Sequence, residues 1–177
     1  MKETYIVSGF MRSGTSMMMR ALIAGGLVPA YNKNIDIELK ETEANPNGFY
    51  ELSMEEYLDP TFPKAYEGKV IKCLWKGALE LIEGNYKMVF MVRDPEEIRK
   101  SFENRFIGDL PLYLDNYREK IGETIEALNA SYDIDLVVFN YWRVIEDPLS
   151  AFNKLKARGW PIDVKKCISV IEPRTRP

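Results

Sequence analysis

The sequence has no histidine and only two cysteines among its 177 residues. These two residue types are the usual ligands of zinc, and Cys73 and Cys167 lack the close spacing of a metal-binding pair. We therefore expect no metal site. The absence of histidine also removes the commonest general base, so a proton-abstracting group would have to be a carboxylate. Both cysteines are expected to be small buried hydrophobic residues in a reducing compartment.

The sequence also lacks an excess of positive charge and a long apolar segment. Its 24 Lys and Arg residues are outnumbered by 27 Asp and Glu residues, whereas nucleic-acid-binding domains usually carry a basic face. Arg, Lys or Gly interrupts the longest apolar stretches well before the length of a membrane span, and the N-terminus shows no signal-peptide pattern. We therefore expect a cytoplasmic protein with no nucleic-acid or membrane partner.

Short apolar runs alternate along the chain with segments of helical periodicity. The length is that of one domain, which we place at residues 1–177. Runs dense in Val, Ile, Phe and Met are typical of strands covered on both faces, and their alternation with helices predicts a three-layer α/β/α fold with a central parallel sheet. The predicted strands are Thr4–Ser8, Lys69–Leu74, Lys87–Arg93 and Leu136–Tyr141. The predicted helices are Gly14–Ala24, Pro95–Arg105, Tyr113–Ala130 and Pro148–Ala157, with an irregular excursion at residues 29–63.

The first strand leads into a glycine-containing loop and then into a helix. This order aims backbone N–H groups and the positive end of a helix at an anion. Gly9 and Gly14 have the spacing of the two glycines in a nucleotide phosphate loop, and Ser16 stands where that motif needs a hydroxyl group. The usual loop lysine is replaced by Thr15, while Arg12 supplies a cation inside the loop. The motif predicts a P-loop NTPase-like fold that binds nucleotide phosphates.

The segment Phe10-Met11-Arg12-Ser13-Gly14-Thr15-Ser16 resembles the phosphosulfate-binding loop of sulfotransferases that use 3'-phosphoadenosine 5'-phosphosulfate. That family typically has Pro-Lys/Arg-Ser-Gly-Thr-Thr/Ser at this point, and Met11 departs from its proline. The resemblance implies a sulfotransferase-like fold and this nucleotide as co-substrate. It assigns nucleotide binding to Arg12, Ser13, Gly14, Thr15 and Ser16.

A second segment, Val89–Pro95, resembles the family's 3'-phosphate-binding segment. There, an Arg at a strand end precedes Asn-Pro or Asp-Pro, and a Ser lies eight residues after the Arg. Arg93 and Ser101 have this spacing, and Asp94-Pro95 is typical of a helix start. Because a guanidinium fork and a hydroxyl can jointly hold a phosphate dianion, the resemblance assigns the 3'-phosphate to Arg93 and Ser101.

Weaker matches extend the resemblance over most of the chain. Lys72 falls on the lysine of the Lys-Thr-His strand of the cytosolic sulfotransferases, but Leu74 occupies the place of the catalytic histidine. The family's C-terminal Arg-Lys-Gly segment is not present in its usual form, and Arg174 and Arg176 could serve in its stead. Sulfuryl transfer builds charge on the bridging oxygen of the leaving nucleotide. The resemblance therefore implies catalytic roles for Arg12 and Lys72 that require no divalent metal.

The acceptor hydroxyl or amine must lose a proton, and some sulfotransferase relatives use a glutamate for this step. The segment Asn45–Glu51 resembles the loop after the first helix in those relatives. Glu51 is accordingly the predicted general base, with Glu41 and Glu43 as alternatives. The expected acceptor is a small molecule or a glycan, which the sequence does not identify further.

Two other functions fit the same residues. A phosphate-loop nucleotide kinase shares the sheet and the loop, and Arg99 or Arg105 could then act as lid arginines. The missing loop lysine and the lack of a clear acidic strand end to hold a metal ion argue against a kinase. The remaining alternative is a protein of the same fold that binds a nucleotide without catalysis.

Overall fold

The structure is a computed structural model that describes residues 2–34, 48–62, 64–81, 84–103, 114–131 and 133–174. The strands in these ranges are β1 (Thr4–Gly9), β2 (Val28–Pro29), β3 (Lys69–Lys72), β4 (Tyr86–Val92) and β5 (Ile134–Asn140). The α-helices are α1 (Thr15–Ala24), α2 (Met54–Leu58), α3 (Trp75–Leu79), α4 (Pro95–Glu103), α5 (Tyr117–Ala130), α6 (Tyr141–Glu146), α7 (Pro148–Ala157) and α8 (Val164–Ser169). A 3-10 turn covers Lys64–Tyr66.

The described strands form one parallel sheet in the order β2-β3-β1-β4-β5. β1 lies in the middle, and all of its residues are buried, as expected for a strand covered on both faces. Because the strands run in the same direction, their carboxyl ends meet at one edge of the sheet. Parallel α/β sheets bind their ligands at this edge.

Helices cover both faces of the sheet. Alternate residues of β1 point to opposite faces, so that Val7 and Ile6 belong to two different buried clusters. The Val7 cluster contains side chains of α1, α7 and α8, whereas the Ile6 cluster contains side chains of α3, α4 and α5. The predicted three-layer α/β/α fold with a central parallel sheet is therefore confirmed.

The four predicted strands are present, and their ends differ from the prediction by one or two residues. The two Asp-Pro helix starts are also confirmed. The Asp94 carboxylate accepts a hydrogen bond from the Glu96 N–H at 2.9 Å, and the Asp147 carboxylate accepts one from the Ser150 N–H at 3.0 Å. The predicted helix end at Arg105 and helix start at Tyr113 lie outside the described residues.

The prediction was wrong about the end of the last strand. Tyr141 was assigned to the strand but is the first residue of α6. The reason is a side-chain cap, because the Asn140 carbonyl oxygen accepts a hydrogen bond from the Trp142 N–H at 3.0 Å. Asparagine stabilises a helix start in this way, so the chain turns directly from strand into helix.

The prediction of an irregular segment at residues 29–63 was also wrong in part. Ser53 and Glu56 form a reciprocal capping box that starts α2, a pattern readable from their three-residue spacing. Residues 35–47 of the segment lie outside the described ranges. Among the described helices, none combines the length and apolar character that a membrane span requires.

Gly9 occupies a position that only glycine fits. Its φ is 143°, and a Cβ there would lie 2.5 Å from the Met91 carbonyl oxygen on the paired strand β4. Two hydrogen-bonded strands cannot separate at this point without cost, so Gly9→Ala should lower the unfolding free energy by about 1–3 kcal/mol. Chemical denaturation monitored by circular dichroism measures the effect.

The matched control is Gly122→Ala within α5, where an added Cβ meets nothing within 4 Å. Alanine should raise stability there by about 0.5–1 kcal/mol because it favours the helix over the unfolded chain. A Gly9→Ala protein as stable as the wild type would contradict the close approach of the two strands.

Candidate functional site

Hydrogen bonds within the loop after β1 fix its shape. The N–H and the hydroxyl of Ser13 both donate to the Phe10 carbonyl oxygen, at 3.2 and 2.7 Å. Arg12 (φ 64°) and Gly14 (φ 102°) adopt positive φ angles, which occur in the concave backbone turns that bind anions. Ser13 was predicted to bind the nucleotide, but the structure uses both of its donors to hold the loop.

The loop is anchored in the apolar core. Phe10 is completely buried, and its ring stacks on Trp75 and meets Tyr117 edge-on, with centroid distances of 4.8 and 5.0 Å. A Cβ on Gly14 would lie 2.6 Å from the Tyr141 ring. These contacts leave the loop little room to move, so it forms a rigid support for groups at its edge.

The start of α1 is a position that favours negative charge beside the loop. Within the described residues, no side chain caps this helix start. Its first N–H groups have no partners within the helix and carry partial positive charge, which favours an anion. Thr15 and Ser16 form the first turn, and Thr15 is buried. The predicted nucleotide-binding residues therefore lie at a helix N-terminus suited to phosphate or sulfate.

Lys72 at the end of β3 extends its ammonium group to this helix start. Its Nζ donates to the Ser16 hydroxyl at 3.3 Å, to the Phe49 carbonyl oxygen at 3.0 Å and to Glu51 Oε1 at 3.0 Å. These contacts match the three N–H bonds of an ammonium group. The Lys72 side chain is only 4% exposed. β3 therefore places a cation beside the loop. The loop itself has Thr15 at the position of the usual lysine.

Glu51, the predicted general base, lies in direct contact with the predicted catalytic lysine. Its side chain is 32% exposed, so part of the carboxylate remains accessible beside the loop. Tyr50 immediately before it has a φ of 59°, which is rare for a residue with a side chain. The alternatives Glu41 and Glu43 lie outside the described residues. Glu51 is the base candidate for which the structure provides a position.

The two arginines predicted to bind phosphate groups lie next to each other. Arg93 Nη1 donates to the Arg12 carbonyl oxygen at 3.3 Å, and Arg12 Nε donates to the Ser101 hydroxyl at 3.1 Å. Arg93 therefore contacts the backbone of the loop, while Arg12 contacts the serine that the sequence paired with Arg93. These two contacts join the loop to Arg93 before α4 and to Ser101 within it. We call the row of side chains from Lys72 and Ser16 through Arg12 to Arg93 and Ser101 the polar edge.

Arg93 is held by further groups that the sequence analysis missed. Its Nε donates to Glu97 Oε2 at 2.9 Å, and its guanidinium carbon lies 4.3 Å from the centre of the Tyr141 ring. Glu97 in turn accepts hydrogen bonds from Trp142 Nε1 at 2.7 and 2.8 Å. The four-residue spacing of Arg93 and Glu97 on a helix start was a readable signal. The contribution of Trp142 was not readable from the sequence.

The described C-terminal segment also approaches this edge. Arg174 Nη1 donates to the Tyr141 hydroxyl at 3.2 Å, and Arg174 Nη2 contacts Glu172 at 3.3 Å. The Tyr141 ring also contacts the Arg93 guanidinium. Arg174 and Arg93 therefore both contact Tyr141. Arg176 lies outside the described residues.

A cleft of about 430 Å³ opens beside Arg93, a volume suited to a small organic ligand. Its lining includes Arg93 after β4, Glu97 of α4, Tyr117 and Arg118 of α5, and Trp142 of α6. Lys72 and Ser16 are not part of its lining, so the cleft adjoins the arginine end of the polar edge. Among the described residues, no three His, Cys, Asp or Glu side chains are grouped closely enough to hold a metal ion.

Comparison with solved structures shows distant similarities in fold. No protein-family model and no curated protein matches the sequence. The chain is similar to an unliganded sugar kinase from Janibacter sp. HTCC2649, with 15% identity and a TM-score of 0.42 over 89% of this chain and 98% of that one. It is also similar to retinol dehydratase in complex with androsterone and the inactive cofactor PAP, with 15% identity and a TM-score of 0.47. That match covers 94% of this chain and 62% of retinol dehydratase, so this chain spans less than two thirds of its length.

Both cysteines are buried free thiols, as expected, and pack in the two cores rather than at the polar edge. Burial raises the pKa of Cys73 to about 12 and that of Cys167 to about 11. A raised pKa keeps a thiol protonated, and the thiolate is the reactive form. At pH 8 both thiols of the folded protein should react with Ellman's reagent at least about a hundredfold more slowly than in guanidinium. Rapid labelling of either thiol in the folded protein would contradict its burial.

Proposed function

We propose that this chain is a sulfotransferase, which moves a sulfuryl group from 3'-phosphoadenosine 5'-phosphosulfate to a hydroxyl or amine of a small-molecule or glycan acceptor. The contact between Lys72 Nζ and the Ser16 hydroxyl, at 3.3 Å, carries the proposal. It puts the lysine that the resemblance marks as catalytic beside the helix start of the phosphosulfate loop. β3, which pairs with β1, thereby supplies the positive charge that Thr15 of the loop cannot supply.

In this mechanism the loop stabilises the charge that leaves with the nucleotide. The acceptor oxygen or nitrogen forms a bond to sulfur, while the bond from sulfur to the bridging phosphate oxygen breaks. Arg12, the first N–H groups of α1 and the positive charge of Lys72 would stabilise negative charge on that oxygen. Because these donors are already held in place, little reorganisation accompanies the reaction. Glu51 would accept the acceptor proton, and its contact with Lys72 keeps it beside the reacting groups.

Arg93 and Ser101 would hold the 3'-phosphate at the other end of the nucleotide. Within the described residues, Nη2 of Arg93 has no hydrogen-bond partner, because the contacts to Glu97 and Arg12 use Nε and Nη1. The Ser101 hydroxyl accepts from Arg12 and can still donate its own proton. A phosphate dianion bound to Nη2 of Arg93 and to the Ser101 hydroxyl would leave the contacts to Glu97 and Arg12 in place.

The charges at the strand ends favour sulfuryl transfer over phosphoryl transfer. Of the strands on either side of β1, β3 ends in Lys72 and β4 is followed directly by Arg93, whereas phosphate-loop kinases need a carboxylate there to hold Mg²⁺. The nearby Asp94 carboxylate caps α4. Arg99, a lid candidate in the kinase reading, lies 3.8 Å from Glu96 and 3.9 Å from Asp115. Arg105 lies outside the described residues.

The proposal predicts that 3'-phosphoadenosine 5'-phosphate stabilises the protein without magnesium, and does so better than ATP. At about 100 times its dissociation constant the nucleotide should add about 2.7 kcal/mol, which raises the melting temperature of a chain of this size by about 5–10 °C. Differential scanning calorimetry measures the shift, and transfer of radiolabelled sulfate to acceptor mixtures tests the activity. Equal or greater stabilisation by Mg-ATP would favour the kinase instead.

A matched pair of variants assigns the effect to a residue. Arg93→Ala should abolish most of the shift produced by 3'-phosphoadenosine 5'-phosphate, because the 3'-phosphate loses its charged fork. Arg99→Ala, a change of the same size on the outer side of α4, should leave that shift intact. The reverse pattern, in which Arg99→Ala removes stabilisation by Mg-ATP, would identify Arg99 as a lid residue of a kinase.

Glu51→Gln tests the proposed base. Glutamine keeps the size of the side chain and can still accept a hydrogen bond from Lys72, but it is a very weak base. Nucleotide affinity should persist, while turnover falls by about 10²–10⁴-fold. Calorimetric titration with 3'-phosphoadenosine 5'-phosphate measures the first quantity, and steady-state sulfate transfer measures the second.

Glu55→Gln provides the control, since Glu55 is an exposed glutamate four residues later in α2. Its turnover should equal that of the wild type. Near-normal turnover of Glu51→Gln would exclude Glu51 as the base. A parallel loss of nucleotide affinity and turnover would instead show that Glu51 acts by holding Lys72.

A further inference from the structure

Glu97 contacts both Arg93 and Trp142 at the edge of the cleft. Its carboxylate accepts from Arg93 Nε at 2.9 Å and from Trp142 Nε1 at 2.7 and 2.8 Å. The Arg93 and Glu97 side chains are 16% and 17% exposed. Neither the resemblance nor the motifs assign a role to this carboxylate. We infer that Glu97 is a positioning residue, which orients Arg93 for a ligand phosphate; this inference rests on the proposed role of Arg93.

The contacts of Arg93 define one orientation of its guanidinium group. Glu97 holds Nε, the Arg12 carbonyl oxygen holds Nη1, and the Tyr141 ring covers one face. An arginine has five N–H donors in a fixed plane, so these contacts leave the Nη2 side to a ligand. A guanidinium without the Glu97 contact could rotate about its side-chain bonds and would lose entropy on binding.

Trp142 makes Glu97 a fixed support instead of a mobile counter-ion. Trp142 is nearly completely buried, and its indole N–H lies within hydrogen-bond distance of both carboxylate oxygens. The helix that carries Trp142 starts with the Asn140 cap. Glu97 itself lies in the first turn of α4, where a negative charge is stabilised by the helix dipole. The carboxylate therefore remains in place whether or not a ligand occupies Arg93.

The geometry indicates that Glu97 orients Arg93 and does not compete with the ligand phosphate for it. A competing carboxylate would occupy the edge of the guanidinium that the ligand needs, and its removal would strengthen phosphate binding. Glu97 contacts Nε, whereas the two N–H groups of Nη2 make no hydrogen bond within the described residues. Removing Glu97 should accordingly weaken phosphate binding, because the ligand must then order Arg93 by itself.

Calorimetric titration of Glu97→Gln with two nucleotides measures the effect. The affinity for 3'-phosphoadenosine 5'-phosphate should fall about tenfold, as for a lost charge-assisted contact. The affinity for adenosine 5'-phosphate, which lacks the 3'-phosphate, should stay within about twofold of the wild type. Glu96→Gln removes the same charge from the exposed neighbouring position and should change neither affinity. Equal losses for both nucleotides would mean that Glu97 only supports the fold.

A second measurement does not depend on the nucleotide. In ¹⁵N NMR spectra of the free protein, the Arg93 Nε–H signal, assigned by its loss in Arg93→Lys, should exchange slowly with water. Exchange should accelerate about tenfold or more in Glu97→Gln and in Trp142→Phe, because each removes part of the support. Unchanged protection in both variants, or tighter binding of the bisphosphate by Glu97→Gln, would overturn the inference. If the wild type does not prefer the 3'-phosphorylated nucleotide, the proposed function fails, while the NMR result still shows whether Glu97 orients Arg93.

Discussion

The buried ammonium group of Lys72 is the constraint around which the loop edge of the sheet is organised. A charge that is almost completely buried must be compensated by hydrogen bonds and an opposite charge. Ser16, the Phe49 carbonyl group and Glu51 provide this compensation. A single cation thereby ties the end of β3 to the start of α1 and to the segment that carries Glu51. The same requirement holds Lys72 beside a loop that has no lysine of its own.

Buried charge is also compensated at the end of the polar edge that contains Arg93. Arg93 and Glu97 are both largely buried, and each is paired before any ligand binds. Lys72 is likewise paired with Glu51. Because these cations are compensated within the protein, it can fold without an anion ligand. Donors that are already oriented stabilise developing charge more effectively than donors that must reorganise.

Much of the fold could be predicted because its signals are local. The apolar runs of the four predicted strands and the Asp-Pro caps at Asp94 and Asp147 depend on neighbouring residues alone. The capping box at Ser53 was equally readable and was overlooked. The Asn140 cap was harder to recognise, because an apolar strand runs directly into α6 and the apolar pattern gives no sign of the boundary.

The contacts within the candidate site could not be predicted from local sequence signals. The sequence by itself determined that a glycine-containing turn joins β1 to a helix and that Arg12, Lys72, Arg93 and Ser101 are candidate ligand groups. Only the tertiary structure decided which of them meet. Lys72 and Ser16 are 56 residues apart, Arg12 and Ser101 are 89 apart, and Trp142 and Glu97 are 45 apart. Their contacts exist because β3 and β4 flank β1 and α6 follows β5. Strand order is set by the packing of the whole sheet, whereas spacing along the chain records only contacts within a turn or two.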